Sequence, residues 1–212
     1  MITTIMFDFW GTLVENGIWS PTKQIRNILE IKIPFPEYIV RMEKAMMTKH
    51  HKDLNESFTY VCNEFNIDPT PDKIEKLIGM WNKAWMLAYP YDDVIRNLSK
   101  LNEKYDLVLV SNSDCFSLNN VLEKYDLKKH FKNIYLSCEV GLIKSNPEMF
   151  YKILNDLNLK PEECVMIGDS IQSDMVSSKS CGLTSVLIDR KNMRDYHPKI
   201  KTLDELEKVL NI

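Results

Sequence analysis

The chain has no apolar run approaching the roughly 20 residues that span a bilayer. No basic region precedes its first apolar stretch, and Asp8 interrupts that stretch, so neither a membrane anchor nor a cleaved leader is expected. An excess of positive charge is also missing. Lys and Arg total 27 against 30 Asp and Glu, a net charge of −3, which gives no general attraction to nucleic acid or to an anionic membrane. Paired cysteines are lacking too. Cys62, Cys115, Cys138, Cys164 and Cys181 are odd in number, scattered and never in a CxxC pair. That pattern argues against a disulfide framework or a zinc site and for a reducing, cytoplasmic setting. Cys115 reads as a small hydrophobe.

What is present is an ordinary globular composition, 44% hydrophobic and 27% charged. The 212 residues suffice for one full core and a small second one, at about 100–200 residues per domain. Residues 2–7 are apolar or threonine and predict a strand covered on both faces. The strand delivers Asp8 to its end, and Gly11 and Thr12 then turn the chain. From about 20 to 88 strand signals vanish and apolar residues recur at helical spacing, as in Ile39, Met42 and Met46 or Ile74, Leu77, Ile78 and Trp81. Breakers at Pro34 and Pro36, at residues 53–55 and at residues 68–71 divide this stretch into about four helices. Its tryptophans, with Trp19, read first as helix packing.

After Pro90 the pattern changes. Strands are predicted at 107–110, 133–136, 164–167 and 184–188, with helices at about 94–101, 116–125, 147–157, 174–180 and 203–210. Thr202 is placed to cap the last helix. Strands alternating with helices imply an α/β fold with a five-stranded parallel sheet. Ligands of such sheets sit outside the carboxyl ends of the strands. Residues 1–15 and 89–212 are expected to form this core. Residues 16–88 are a helical insertion beside the same sheet edge and read as a lid.

Polar residues gather at those strand ends. Asp8 follows the first strand, Ser111 the second, and Asp169 the fourth, with Asp174 five residues on. Lys144, in the segment 141–147, offers a mobile positive charge. Taken singly, Ser111 reads equally as a turn residue, Lys144 as a surface lysine and Asp174 as a helix-start residue. Taken together, three crowded carboxylates repel unless a cation compensates them. A lysine and a hard, oxygen-preferring divalent ion such as Mg²⁺ serve that purpose. Ser111, next to backbone N–H groups at a strand-to-helix turn, suits an oxyanion. A carboxylate nucleophile, a cation and oxyanion donors are the parts of phosphoryl transfer through an aspartyl intermediate.

In order, Asp-x-x-Gly-Thr-Leu at 8–13, Val-Ser-Asn-Ser at 110–113, Lys144 followed by Pro147 and Phe150, and Gly-Asp-Ser-x-x-x-Asp at 168–174 resemble the motifs of the haloacid dehalogenase-like (HAD) hydrolase superfamily. The likeness covers residues 1–14 and about 90–190, and the helical insertion sits where that family carries a helical cap. It implies a Rossmann-like core, a Mg²⁺ cofactor and a small phosphorylated substrate. It further implies that Asp8 attacks phosphorus and that Thr12 supports the active-site turn. Ser111, Asn112 and Lys144 would bind the phosphoryl group. Asp8, Asp169, Asp174 and the backbone carbonyl of Trp10 would hold the metal.

One position departs from the pattern. Family phosphatases usually carry a second aspartate two residues after the nucleophile as general acid and base, and here Trp10 stands there. Indole donates one N–H but cannot shuttle a proton, and loss of a general acid costs ~10²–10⁴-fold in rate. A phosphatase with another acid, or with substrates needing none, is the leading reading. A 2-haloacid dehalogenase with Arg26 or Arg41 gripping a carboxylate, and a phosphonatase with Lys44 or Lys49 as Schiff base, are alternatives. A non-catalytic binding protein derived from the fold is another. The retained acidic pair, Asp169 and Asp174, favours metal-dependent phosphate hydrolysis over the others. His50 or His51 is a candidate to supply the missing acid, whereas His130 and His197 carry no special signal.

Overall fold

In the computed structural model, which describes residues 1–210, the chain begins with β1 (Thr4–Phe7) at the centre of a parallel sheet. All four residues are buried because helices cover both faces. After β2 (Val14–Glu15) come four helices: α1 (Pro21–Ile28), α2 (Phe35–Met47), α3 (Leu54–Glu64) and α4 (Pro71–Met86). Proline opens α1 and α4, where its missing N–H costs nothing. Asp53 caps α3 by accepting from the Glu56 N–H at 2.8 Å. β3 (Tyr89–Pro90) then pairs antiparallel with β2 and closes the insertion with a small two-stranded ribbon.

The core resumes with α5 (Val94–Asn102), β4 (Asp106–Ser111), α6 (Cys115–Lys124), β5 (Asn133–Leu136) and α7 (Ser137–Val140). α8 (Glu148–Asp156), β6 (Cys164–Gly168), α9 (Ser177–Ser180), β7 (Thr184–Ile188), β8 (Lys199–Ile200) and α10 (Leu206–Leu210) complete it. The sheet has six strands in the order β5-β4-β1-β6-β7-β8, all parallel, where five were expected. The extra strand, β8, is two residues long, too short for any periodicity to announce it. The last helix is also shorter than expected. Residues 203–205 form a 3-10 turn, and the Glu205 carboxylate accepts from the Thr202 N–H at 3.1 Å. None of the described helices is long and apolar enough to cross a membrane.

Side-chain alternation splits the core into two layers. Ile5, Phe7, Leu107, Leu109, Val165 and Ile167 face the side of α5, α6 and α10. Met6, Val108, Val110 and Met166 face α8 and the segment around Met175. A third buried cluster, built on Ile25, Tyr38, Met42, Phe58, Leu77 and their neighbours, lies within α1–α4 and the connection between α1 and α2.

The cysteine expectation needs correction: Cys115, at the start of α6, and Cys138, in α7, form a disulfide with Cα atoms 6.0 Å apart. Their separation of 23 positions offered no spacing signal, and only the parallel pairing of β4 with β5 brings the two helix starts together. Cys62, Cys164 and Cys181 are free and buried.

Candidate active site

Register explains why the carboxylates converge. Phe7 pairs with Leu109 on one side and Ile167 on the other, so the next residue, Asp8, lies level with Val110 and Gly168. Ser111 and Asp169 fall one step further along, at the sheet's carboxyl edge. Beyond Asp8 the chain reverses through Gly11, whose φ of +78° is the left-handed conformation that glycine adopts without strain. The reversal returns Thr12, whose hydroxyl donates to Asp8 Oδ2 at 3.0 Å. From beneath, Arg190 holds this turn. It donates to the Thr12 carbonyl at 2.6 Å and pairs with the buried Asp93 at 2.7 Å.

Lys144 lies between two carboxylates. Its ammonium pairs with Asp8 Oδ1 and, at 2.6 Å, with Asp174 Oδ1, and all three side chains are buried. Burial alone disfavours the ammonium, yet the carboxylates of Asp174 and Asp8 outweigh it and hold its pKa above the ordinary lysine value. Asp169 and Asp174 are both pushed upward. Desolvation is the first cause in each, and the neighbouring acids add to it.

Oxygen atoms of Asp8, Asp169 and Asp174 all lie within 4.8 Å of one another. Lys144 pairs with two of these carboxylates, and the third, Asp169, meets only the half-exposed guanidinium of Arg194 at 3.5 Å. A hard divalent cation suits such an all-oxygen set. Two glycines clear the space. A Cβ on Gly11 would stand 2.8 Å from Asp169 Oδ2, and one on Gly168 would stand 2.2 Å from Asp174 Oδ2. Asp174 itself projects from a π-helical turn (Ile171–Val176) and accepts from the Ser170 N–H at 2.9 Å. Gly168→Ala is accordingly expected to displace the Asp174 carboxylate. We expect kcat/KM to fall by about 10²-fold or more, because misplacement by ~1 Å costs that much; comparing kcat/KM of the variant with that of the wild type checks it.

Ser111 is fully buried and its hydroxyl finds no hydrogen-bond partner among the described residues. Asn112 bridges two elements: its Oδ1 accepts from the Lys144 backbone N–H at 2.8 Å, and its Nδ2 donates to Glu43 of α2 at 2.8 Å. Two of the backbone donors at the start of α6 are already engaged. Asp114 occupies the N-cap and accepts from Phe116 and Ser117 at 3.1 and 2.8 Å. The same carboxylate accepts from the indole of Trp81 at 2.9 Å, tying α4 to the core. Trp81 thus does more than pack. Burial raises the Asp114 pKa against the opposing pull of those donors.

The indole of Trp10 stands edge-on to Phe9 and donates to Ser113 Oγ at 3.2 Å. It offers no proton carrier. Neither do the insertion's histidines: His51 is buried against the Ala45 carbonyl at 3.2 Å, and His50 is exposed 3.8 Å from Cys115 Sγ. His50, Cys115 and Glu139 lie close enough to suggest a second metal cluster, but the sulfur is bonded to Cys138. Arg26 is consumed by the Ile31 and Ile33 carbonyls, and Arg41 by Glu64 and Glu37. Lys44 and Lys49 are exposed, Lys49 lying over the Tyr60 ring.

Sequence reasoning missed Glu43. It is the one ionisable side chain lining a cavity of about 170 Å³ that Trp10, Trp85, Met47 and Asn112 also line, and its pKa is raised to about 7, first by burial. A carboxylate at residue 43, in helical step with Ile39, Met46 and Met47, was the available signal.

Comparison with known proteins agrees with this architecture. A family model described as haloacid dehalogenase-like hydrolase matches residues 2–182. A glyceraldehyde 3-phosphate phosphatase of Methanopyrus kandleri is 24% identical over 94% of this chain and 89% of its own length. A HAD phosphatase of Thermococcus onnurineus superposes with TM-score 0.65 at 25% identity, covering 99% of this chain and 98% of that one. A 2-haloacid dehalogenase of Pseudomonas syringae shares the fold equally well, with TM-score 0.67 at 14% identity and coverage of 100% and 99%.

Proposed function

The chain belongs to the haloacid dehalogenase-like hydrolases, and from that premise we propose that it is a Mg²⁺-dependent phosphatase acting on a small phosphorylated metabolite. The observation that carries this reading is the cluster of Asp8, Asp169 and Asp174, of which Lys144 pairs with Asp8 and Asp174 while Asp169 has only the half-exposed Arg194 at 3.5 Å. Three acids at one sheet edge oppose an anionic substrate unless a divalent cation joins Lys144 and the more exposed Arg194. Asp8, Asp169, Asp174 and the backbone carbonyl of Trp10 are assigned as its ligands. Once bound, the ion neutralises phosphoryl charge and aligns the phosphate with the nucleophile.

In this reading Asp8 attacks phosphorus and becomes an aspartyl phosphate, which water then hydrolyses. Thr12 orients the nucleophile. Ser111 and Asn112 hold the phosphoryl oxygens, and Lys144 balances charge between Asp8 and phosphate. Residues 1–15 and 89–212 act as the catalytic core, with 16–88 as a cap that supplies the leaving-group pocket. The pocket is small and holds no lysine or arginine, which suits a substrate whose only anionic group is its phosphate. Glyceraldehyde 3-phosphate, named for the Methanopyrus relative, is of this class.

The dehalogenase alternative is weakened because Arg26 and Arg41 are both spent on partners within the helical insertion. One assay separates the two. Phosphate release from an aryl phosphate is expected with Mg²⁺ and to drop to background after chelation. Chloride release from 2-chloropropionate that survives chelation would reverse the assignment.

A further inference from the structure

We propose that Glu43, carried by the helical insertion, is the catalytic proton donor that replaces the acid absent at Trp10. The inference rests on the phosphatase reading above and deepens it. Three observations support it. Glu43 lines the cavity together with Trp10, the position where the missing aspartate would stand, and no other ionisable side chain lines that cavity. Its Oε2 is held by Asn112 Nδ2 at 2.8 Å, and Asn112 is also fixed by the Lys144 backbone N–H at 2.8 Å. The carboxyl group is thereby tied to the loop that bears the nucleophile's counter-charge, while its second oxygen is left to carry a proton.

Chemistry points the same way. Burial raises the Glu43 pKa to about 7; Asn112 and Lys144 draw it down, and Asp174 and Asp8 raise it. The phenol of Tyr38, on the same helix, is a further titratable neighbour; burial raises its pKa, Arg26 opposes, and Glu43 adds a smaller upward push. A carboxylic acid that stays protonated near neutrality is suited to general acid work. His50 and His51 are not: one is exposed beside Cys115, the other is held against a backbone carbonyl.

The step balances as follows. A carboxylate oxygen of Asp8 forms a bond to phosphorus, and the bond from phosphorus to the leaving oxygen breaks with its electron pair on that oxygen. The proton of Glu43 passes to it, releasing a neutral alcohol and leaving Glu43 ionised. Water then attacks phosphorus and yields a proton to the Glu43 carboxylate. The bond to Asp8 breaks with its pair returning to the aspartate, phosphate departs, and Glu43 is again protonated.

The test is Glu43→Gln, which keeps the shape and an acceptor for Asn112, with Mg²⁺ present. With glycerol 3-phosphate, whose alkoxide needs a proton, kcat is expected to fall ~10²–10⁴-fold. With 4-nitrophenyl phosphate, whose phenolate leaves unaided, a stoichiometric burst at near the wild-type rate followed by slow turnover is expected. A merely structural role would slow the burst as well. In the wild type, kcat/KM for glycerol 3-phosphate should fall above about pH 7 while that for the aryl ester does not; this profile serves even if the variant fails to fold. Undiminished glycerol 3-phosphate turnover in the variant, or matching high-pH limbs for both esters, overturns Glu43 alone. A wild type that releases phosphate from neither ester overturns the phosphatase reading itself.

Discussion

Asp8→Asn is expected to lower phosphate release by at least about 10⁴-fold while leaving the fold intact. The amide is nearly isosteric with the carboxylate, so Thr12 keeps an acceptor and the turn through Gly11 is undisturbed. What vanishes is the nucleophile: an amide oxygen forms no stable phosphoryl adduct, and groups that act as a unit lose nearly all their effect when one is removed. Stability should hold or rise. Asp8 is one of three crowded carboxylates, and Lys144 retains Asp174 at 2.6 Å after the change. Like charges in a buried site repel, so removing one relieves the others. The check is a paired measurement of steady-state phosphate release and thermal midpoint. Activity within about 10-fold of wild type at an equal midpoint would remove Asp8 from the chemistry.

Lys144→Met is expected to produce the largest loss of stability. It strips the counter-charge from Asp8 and Asp174 in a site where all three side chains are buried. Breaking such a pair leaves uncompensated buried charge, at a cost of about 3–5 kcal/mol. Urea unfolding without added metal should show the shift. Mg²⁺ should then recover part of it, because an ion that binds only the folded state stabilises by about 2.7 kcal/mol at 100 times its dissociation constant. A variant within ~1 kcal/mol of wild type in the absence of metal would mean that Asp8 and Asp174 do not depend on the lysine. Recovery by Mg²⁺ alongside lost turnover would separate the lysine's structural role from its part in binding the phosphoryl group.

Much of this arrangement was legible in the chain. The buried strands announce themselves because a parallel sheet covered on both faces needs continuous apolar runs, and Thr4–Phe7, Asp106–Ser111 and Cys164–Gly168 supply them. Asp8, Ser111 and Asp169 were legible as the polar residues ending those runs, each readable singly as a turn residue and marked as a set only by falling together at adjacent strand ends. Helical periodicity between 20 and 88 likewise foretold the four helices of the insertion.

Other features carried no local mark. β8 pairs over only two residues, and its alignment depends on β7 already being in place. Cys115 and Cys138 are brought together by strand pairing across 23 residues, so their spacing was silent. The hold of Trp81 on Asp114 joins residues 33 apart, and the same carboxylate engages the Phe116 and Ser117 N–H groups of the helix start.

Local pattern thus determined the longer strands and helices and which acids end the central strands, because burial on both faces and 3.6-residue periodicity act within one element. β2, β3, α7 and β8 are too short to show either. Only tertiary packing decided what shares the pocket with those acids. Trp10 left a proton donor unaccounted for, and the candidate, Glu43, sits on a helix whose approach to Asn112 is set by how the insertion folds back across the sheet edge. Contacts of that range depend on the geometry of two separate hydrophobic clusters, and no stretch of sequence contains it.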